Sequence, residues 1–487
     1  MSENNLSEIT QNPQLIKKRS LSGATAYFVR TLFLQALGFV SVIILGAILE
    51  PKDFGIYAFV TAIIGVLTFF SDIGLAASLI QKKEEPTLDE YRTAFTVQQI
   101  LSWFIFLVCI ALVVIGVVRQ QTGFAGELIL ISLALSFPLA TFKTIPSIIL
   151  ERNLKFGQLT MPQIFEQLSF HGVLIFLVWS GFGVYSYVPA ILSRSIIGVI
   201  AMTILQRWPI GLAIDKLALK HLVKVGAQFQ LNDLLARIKD QLFVVALGFW
   251  LPMTSIGYVT FAKQWSLVPY QLTVQNIIAV TFSVYSRLQH DKELLRKAIE
   301  KTLYYISLIT LPMIGLMIVT VYPVTQVFPK YGKWEPAVWS LIFFSLNVAC
   351  SALTTPFTNM LAAIGKVSVT VKLMSFWTAL TWVLTPILIY SMGYNGVAVA
   401  AFLVAFTSFI TLFILKRHIY YQFLPSVWRQ LVGVIVLLIL GIMMQSILTT
   451  SMIWLFIGIL SLALSYFLTV FLLGPKHLIS HLKSLKA

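Results

Sequence analysis

Two stretches decide the fold: Leu45-Gly46-Ala47-Ile48-Leu49-Glu50-Pro51-Lys52-Asp53-Phe54-Gly55-Ile56-Tyr57 and Leu247-Gly248-Phe249-Trp250-Leu251-Pro252-Met253-Thr254-Ser255-Ile256-Gly257-Tyr258. Each is an apolar run that ends on Leu-Gly, breaks at proline and resumes toward a tyrosine, with the same Pro-to-Tyr spacing. Two further pairs keep the order: Pro146 with Lys155 against Pro356 with Lys366, and Gly181-Phe182-Gly183-Val184 against Gly393 through Gly396-Val397. An ordered set of echoes at an offset of roughly 200–213 residues marks an internal repeat.

The segments between these breaks are too apolar for water. Of 487 residues 58% are hydrophobic and 11% charged, against about 25% charged in a soluble chain. A bilayer-crossing helix needs about 20 mostly apolar residues. Such runs fall at 23–49, 54–80, 93–118, 127–150, 163–181, 183–205, 222–250, 253–285, 303–328, 336–363, 368–391, 395–415, 428–449 and 452–473. The expected fold is an all-α membrane protein of about fourteen transmembrane helices. Its expected parts are a cytoplasmic tail (1–22), a lobe of helices 1–6 (23–205), a basic cytoplasmic linker (206–221), a lobe of helices 7–12 (222–415), and helices 13 and 14 with a short cytoplasmic tail (416–487). An even number of helices per copy gives a parallel repeat, two six-helix lobes around a central cavity, with the last two helices peripheral.

The net charge of +16 would suggest nucleic acid in a soluble protein; here it follows the positive-inside rule. With the N-terminus inside, four of the 35 basic residues (Lys52, Arg119, Lys330, Lys333) lie outside, six lie within spans, and the other 25 are cytoplasmic. Both termini are then cytoplasmic, and no nucleic-acid partner is implied. The basic loops 206–221 and 286–302 read as positive-inside loops or as short amphipathic segments at anionic lipid. Cys109 and Cys350 fall inside apolar runs and imply no disulfide or metal framework. No nucleotide loop, metal motif or catalytic triad appears, so no cofactor is expected.

Ionisable side chains within a membrane helix cost about 2.5–3.5 kcal/mol each on insertion scales, so they need a partner, an interface or a wet cavity. Arg194 and Lys263 lie about ten residues into their spans, near the midplane at 1.5 Å per residue. Arg30 and Lys143 lie nearer the cytoplasmic side, where snorkelling is an alternative. Asp233, Arg237 and Asp240 share one helical face, either as a self-neutralised ladder or with Arg237 turned to the cavity. Together Arg30, Lys143, Arg194, Arg237 and Lys263 would suit a pyrophosphate or uronic acid. Asp72, Glu166, Asp233 and Asp240 are the candidates for a coupling ion, Asp72 and Glu166 also reading as hydrogen-bonding groups. His171 reads as a hydrogen-bonded core residue more readily than as a proton relay.

Leu45-Gly46, Pro51, Phe54-Gly55, Tyr57, Ser71-Asp72-Ile73-Gly74-Leu75 and Leu79-Ile80-Gln81 together resemble the opening of the polysaccharide flippases. Those belong to the multidrug/oligosaccharidyl-lipid/polysaccharide exporter superfamily. Glu151-Arg152-Asn153-Leu154-Lys155-Phe156, Asp240 with Leu247-Gly248 and Gly257-Tyr258, and Ser286-Arg287-Leu288-Gln289 agree in the same order, so the resemblance spans residues 20–420. It implies two lobes in a V, alternating access, and export across a bacterial-type plasma (inner) membrane of lipid-linked repeat units for O-antigen, capsule or exopolysaccharide, coupled to a proton or sodium gradient. A polysaccharide polymerase and a chain-length regulator would be partners. Asp240 matches a family position. Drug-exporting relatives carry an acid on the first helix; here Arg30 stands in that span without one, against a cationic-drug substrate. An exporter of small amphipathic molecules and a non-transporting scaffold for glycan assembly remain alternatives. A polymerase or ligase would need a large external loop, and the longest one expected is 119–126.

Overall fold

A computed structural model of the chain describes residues 13–71, 74–82, 84–216, 219 and 241–474. Among these the regular structure is helical and no strand occurs. Eleven helices are long and apolar enough to cross a membrane, or twelve if the bent pair Met253–Leu272 and Val274–Arg287, angled by 42°, forms one span. This is a multi-pass membrane protein. Fourteen spans are not reached among the described residues, for two reasons. The second expected run stops as an α-helix at Leu67 and passes through a 3-10 turn over Thr68–Phe70. The seventh lies largely outside the described residues.

The chain divides into two compact units, one ending at Ile256 and the other beginning at Gly257. In the first, α1 (Pro13–Ile48) starts ahead of the expected position at residue 23. Glu50 and Pro51 break it from α2 (Pro51–Leu67), with Pro51 at the first helical position and the Glu50 amide donating to Asp53 Oδ2 at 3.1 Å. Proline suits that position because its missing N–H would be unpaired there anyway. Next come α3 (Leu75–Gln81), α4 (Leu88–Val114), α5 (Val117–Arg152), α6 (Phe156–Trp179), α7 (Tyr187–Leu205) and α8 (Phe243–Trp250). Thr87 and Glu90 cap α4 reciprocally, the Glu90 amide donating to Thr87 Oγ1 at 3.2 Å and the Thr87 amide to Glu90 Oε2 at 2.9 Å. Gly123, at φ 70°, kinks α5 near its start, so helix occupies the stretch expected as the external loop 119–126. Gly248 of α8 lies against the Phe59 ring of α2, which leaves no room for a side chain there.

The second unit carries α9 (Met253–Ser266), α10 (Val268–Leu272), α11 (Val274–Arg287), α12 (Lys292–Val327), α13 (Val338–Ala363), α14 (Val367–Met392), α15 (Asn395–Thr407), α16 (Ile410–Lys416), α17 (Phe423–Met443), α18 (Gln445–Leu448) and α19 (Met452–Leu472). The loop expected over 286–302 is instead mostly the start of α12. Asp291 caps this helix, accepting from the Glu293 and Leu294 amides at 2.9 and 3.0 Å. Leu295, Ile299 and Leu303 form a buried i, i+4, i+8 stripe against Tyr285 and Phe357, so that segment faces protein core rather than lipid. The last two long helices, α17 and α19, pack on α12: Gly441 accommodates Val319, and Tyr466 donates to the Leu308 carbonyl at 3.1 Å.

The repeat reappears as matched turns. Lys155 N–H donates to Leu150 O at 2.9 Å after Leu154 at φ 55°, and Lys366 N–H donates to Leu361 O at 2.8 Å after Gly365 at φ 78°. Tyr57 stacks on Tyr187 at 3.9 Å, after the first glycine turn, and its counterpart Tyr258 meets Tyr394 at 5.6 Å, within the second. The repeated tyrosine thus meets a second aromatic ring in each unit, at positions that are not equivalent.

Candidate functional site

The site is built on the seam where α5, α6 and α7 pack in the first unit. Lys143 of α5 and Glu166 of α6 form an ion pair, Nζ to Oε1 2.6 Å. Each lies roughly 14–15 Å along its helix from the Arg152 or Phe156 end, at a rise of 1.5 Å per residue. Glu166 is buried and fits because Gly198 of α7 presents no side chain: a Cβ there would overlap its carboxylate. About one turn further along, Ser169 donates to Ser193 Oγ at 3.0 Å and fixes α6 against α7. That contact sets Arg194 over the Phe170 ring, Cζ 5.9 Å from the centroid. Phe170 in turn meets His171 edge-on at 5.1 Å.

The electrostatics leave one charge over. Lys143 and Glu166 neutralise one another, whereas Arg194 is exposed and has no ion-pair partner among the described residues. An exposed guanidinium near mid-span is sustainable against water or an anion, not against hydrocarbon. His171 is half-buried and its Nδ1 has no hydrogen-bond partner among the described residues, unlike the hydrogen-bonded core residue expected. Glu127 of α5, which was not anticipated, is a further buried carboxyl.

The expected set therefore separates. Lys143, Glu166 and Arg194 come together on one seam, with Lys143 and Glu166, assigned to different roles, paired to each other. Arg30 is half-buried on α1, a helix that packs along α6. Lys263 is exposed on α9 in the second unit. Asp72, Asp233, Arg237 and Asp240 lie outside the described residues. Gly198 and the Ser169–Ser193 link carried no separable sequence signal, because small residues are common at membrane helix contacts.

Residues 44–339 match the family model described as polysaccharide biosynthesis protein. The chain belongs to that family. Among curated proteins of similar sequence, an uncharacterized membrane protein in the cps region of Klebsiella pneumoniae is 24% identical, over 96% of this chain and 98% of that one. The lipopolysaccharide biosynthesis protein WzxC of Escherichia coli (strain K12) is 24% identical, over 75% of this chain and 74% of its own. Among solved structures, the lipid II flippase MurJ, in an inward closed conformation, aligns with a TM-score of 0.73 and 16% identity. That alignment covers 93% of this chain and 99% of MurJ, and it shows that this member of the polysaccharide biosynthesis family has the same fold.

Proposed function

We propose that this protein is a flippase, not an enzyme, carrying a lipid-linked anionic oligosaccharide from the inner to the outer leaflet by alternating access. The observation that carries the reading is the polar seam within the membrane, where a neutralised Lys143–Glu166 pair stands beside the exposed guanidinium of Arg194, which has no ion-pair partner among the described residues. A guanidinium presents paired donors that fit phosphate oxygens, and the weak hydration of Arg favours such contacts away from bulk water. The substrate class is a polyprenyl-pyrophosphate oligosaccharide: its headgroup binds Arg194 while its tail stays in lipid. The names of WzxC and MurJ support this class, as does the family's assignment to polysaccharide biosynthesis.

In this scheme Lys143 exchanges partners, from Glu166 to the headgroup, and the released Glu166 carboxylate takes up the coupling cation. Arg30, Arg237 and Lys263 add positive charge along the path, and Asp72, Asp233 and Asp240 are further ion-coupling positions. The membrane is the bacterial inner membrane with both termini cytoplasmic. Acidic lipids at the basic loops, a polymerase and a chain-length regulator are the partners, with O-antigen, capsule or exopolysaccharide as the product.

The test is flipping of a fluorescent polyprenyl-pyrophosphate oligosaccharide in proteoliposomes, with proton and sodium gradients imposed separately. Gradient-dependent flipping that Arg194→Gln abolishes and Arg194→Lys partly restores is the expected result. A correctly folded protein that flips nothing, or an Arg194→Gln variant as fast as wild type, would overturn it.

A further inference from the structure

Between α7 and Lys216 the chain takes an extended course. Residues 206–215 form no helix and run along the first turns of α4. Pro209 and Gly211 work against helix, and two threonines of α4 hold the segment instead. The Ala213 amide donates to Thr96 Oγ1 at 3.1 Å and the Asp215 amide to Thr93 Oγ1 at 3.0 Å. Trp208 packs edge-on against Phe95, with centroids 5.3 Å apart. Gly211 lies so close to Arg92 that a Cβ there would stand 2.6 Å from Nε.

Extended backbone sends alternate side chains to opposite sides. Gly211 and Ala213 are the half-buried positions. Ile210, Leu212 and Ile214 are 54%, 75% and 60% exposed, so three large aliphatic side chains form one ridge. Arg207 precedes the ridge and Lys216 follows it, both exposed, with exposed Asp215 beside Lys216.

Depth decides what meets this ridge. At 1.5 Å per residue α4 is about 40 Å long and Thr96 lies about 12 Å from its Leu88 end. The hydrocarbon layer is about 30 Å thick, so about 10 Å of α4 extends beyond it. Asp89, Glu90 and Arg92 keep the first turns of α4 in the polar layer and its apolar run begins at Thr93, so the Thr93–Thr96 level that holds Asp215 and Ala213 lies at the hydrocarbon boundary. The threonine hydroxyls hold the Ala213 and Asp215 amides; the remaining strap peptide groups stay at the headgroup level, where water reaches them, because unpartnered backbone is not tolerated in hydrocarbon.

We propose that the 207–216 strap is a membrane-inserted anchor, its Ile210, Leu212 and Ile214 ridge buried in the phospholipid leaflet and Arg207 and Lys216 held at headgroup phosphates. The strap thereby ties the link between the two repeats to the membrane surface. This role does not depend on the transported substrate.

The experiment uses the full chain with Cys109→Ala and Cys350→Ala, both native thiols being buried. An environment-sensitive fluorophore is placed at Leu212→Cys, or separately at Ile210→Cys or Lys216→Cys. The labelled protein is reconstituted in phosphatidylcholine/phosphatidylglycerol nanodiscs and checked as monodisperse. Spin-labelled lipids should quench the probes at 210 and 212 while aqueous acrylamide does not, with the reverse at 216. Equal acrylamide access at 212 and 216 would overturn the proposal. So would shielding of 210 and 212 from both quenchers, since protein rather than lipid would then cover the ridge.

Discussion

Lys143 Nζ lies 2.6 Å from Glu166 Oε1, so a cation of α5 and an acid of α6 that are 23 residues apart in sequence form one neutral unit within the membrane. Removing either partner alone leaves a largely buried charge unmatched, at a cost of about 3 kcal/mol. Lys143→Ala and Glu166→Ala should each lower thermal stability in detergent, and the double variant should cost clearly less than the two singles together. Additive losses would mean that the two groups do not interact in the folded protein.

Gly198 holds space for that carboxylate. Gly198→Ala should displace Glu166, release Lys143 and reduce transport, while Gly172→Ala on α6, where a Cβ meets nothing within 4 Å, should leave transport unchanged. Comparing the two at equal expression separates the local contact from a general effect of added side chains.

Arg152 closes the end of α3 from the far end of α5. Its Nη1 donates to the carbonyls of Leu79, Ile80 and Lys82 at 2.7, 3.1 and 2.8 Å, and its Nη2 to that of Glu84 at 2.9 Å. Hydrogen bonds from a charged donor are worth about 1.5–3 kcal/mol. Lysine cannot reproduce the planar fork. Arg152→Lys should speed amide exchange and proteolysis around residues 79–84, leaving Thr87 and Glu90 capping α4; unchanged exchange there would show that the clasp contributes nothing.

Leu154 and Gly365 occupy matched turns with φ of 55° and 78°. A side chain in left-handed backbone costs roughly 1–2 kcal/mol. Gly365→Leu should therefore lower the melting temperature, and Leu154→Gly should hold or raise it. A large drop for Leu154→Gly would show that its side chain packs more favourably than its backbone is strained.

Tyr421, in the turn before α17, is buried and donates to the Leu412 carbonyl at 2.8 Å. Burial pushes its phenol above the ordinary tyrosine value. The unfolded chain then loses this proton first, so the contribution is intact below about pH 10 and declines as pH rises beyond it. Tyr421→Phe should cost about 1 kcal/mol at neutral pH and flatten the alkaline decline in thermal stability; an identical decline in both proteins would locate the titration elsewhere.

The sequence by itself determined the membrane class and most of the spans, because insertion depends on the composition of a window of about 20 residues. The Pro146–Lys155 and Pro356–Lys366 echo ends in the same backbone turn in both places because such turns are set by neighbouring residues. Only the tertiary structure decided the rotation and depth of each helix. Those brought Glu166 to Lys143 and Gly198, and left Arg194 exposed over Phe170. The same holds for Arg152 reaching carbonyls some seventy residues away, and for Thr93 and Thr96 holding the strap across 122 and 117 residues. Hydropathy places a residue within a span. It does not set which face of one helix meets which face of another, since lipid tails and helix surfaces are almost equally apolar and the choice falls to packing and a few polar contacts.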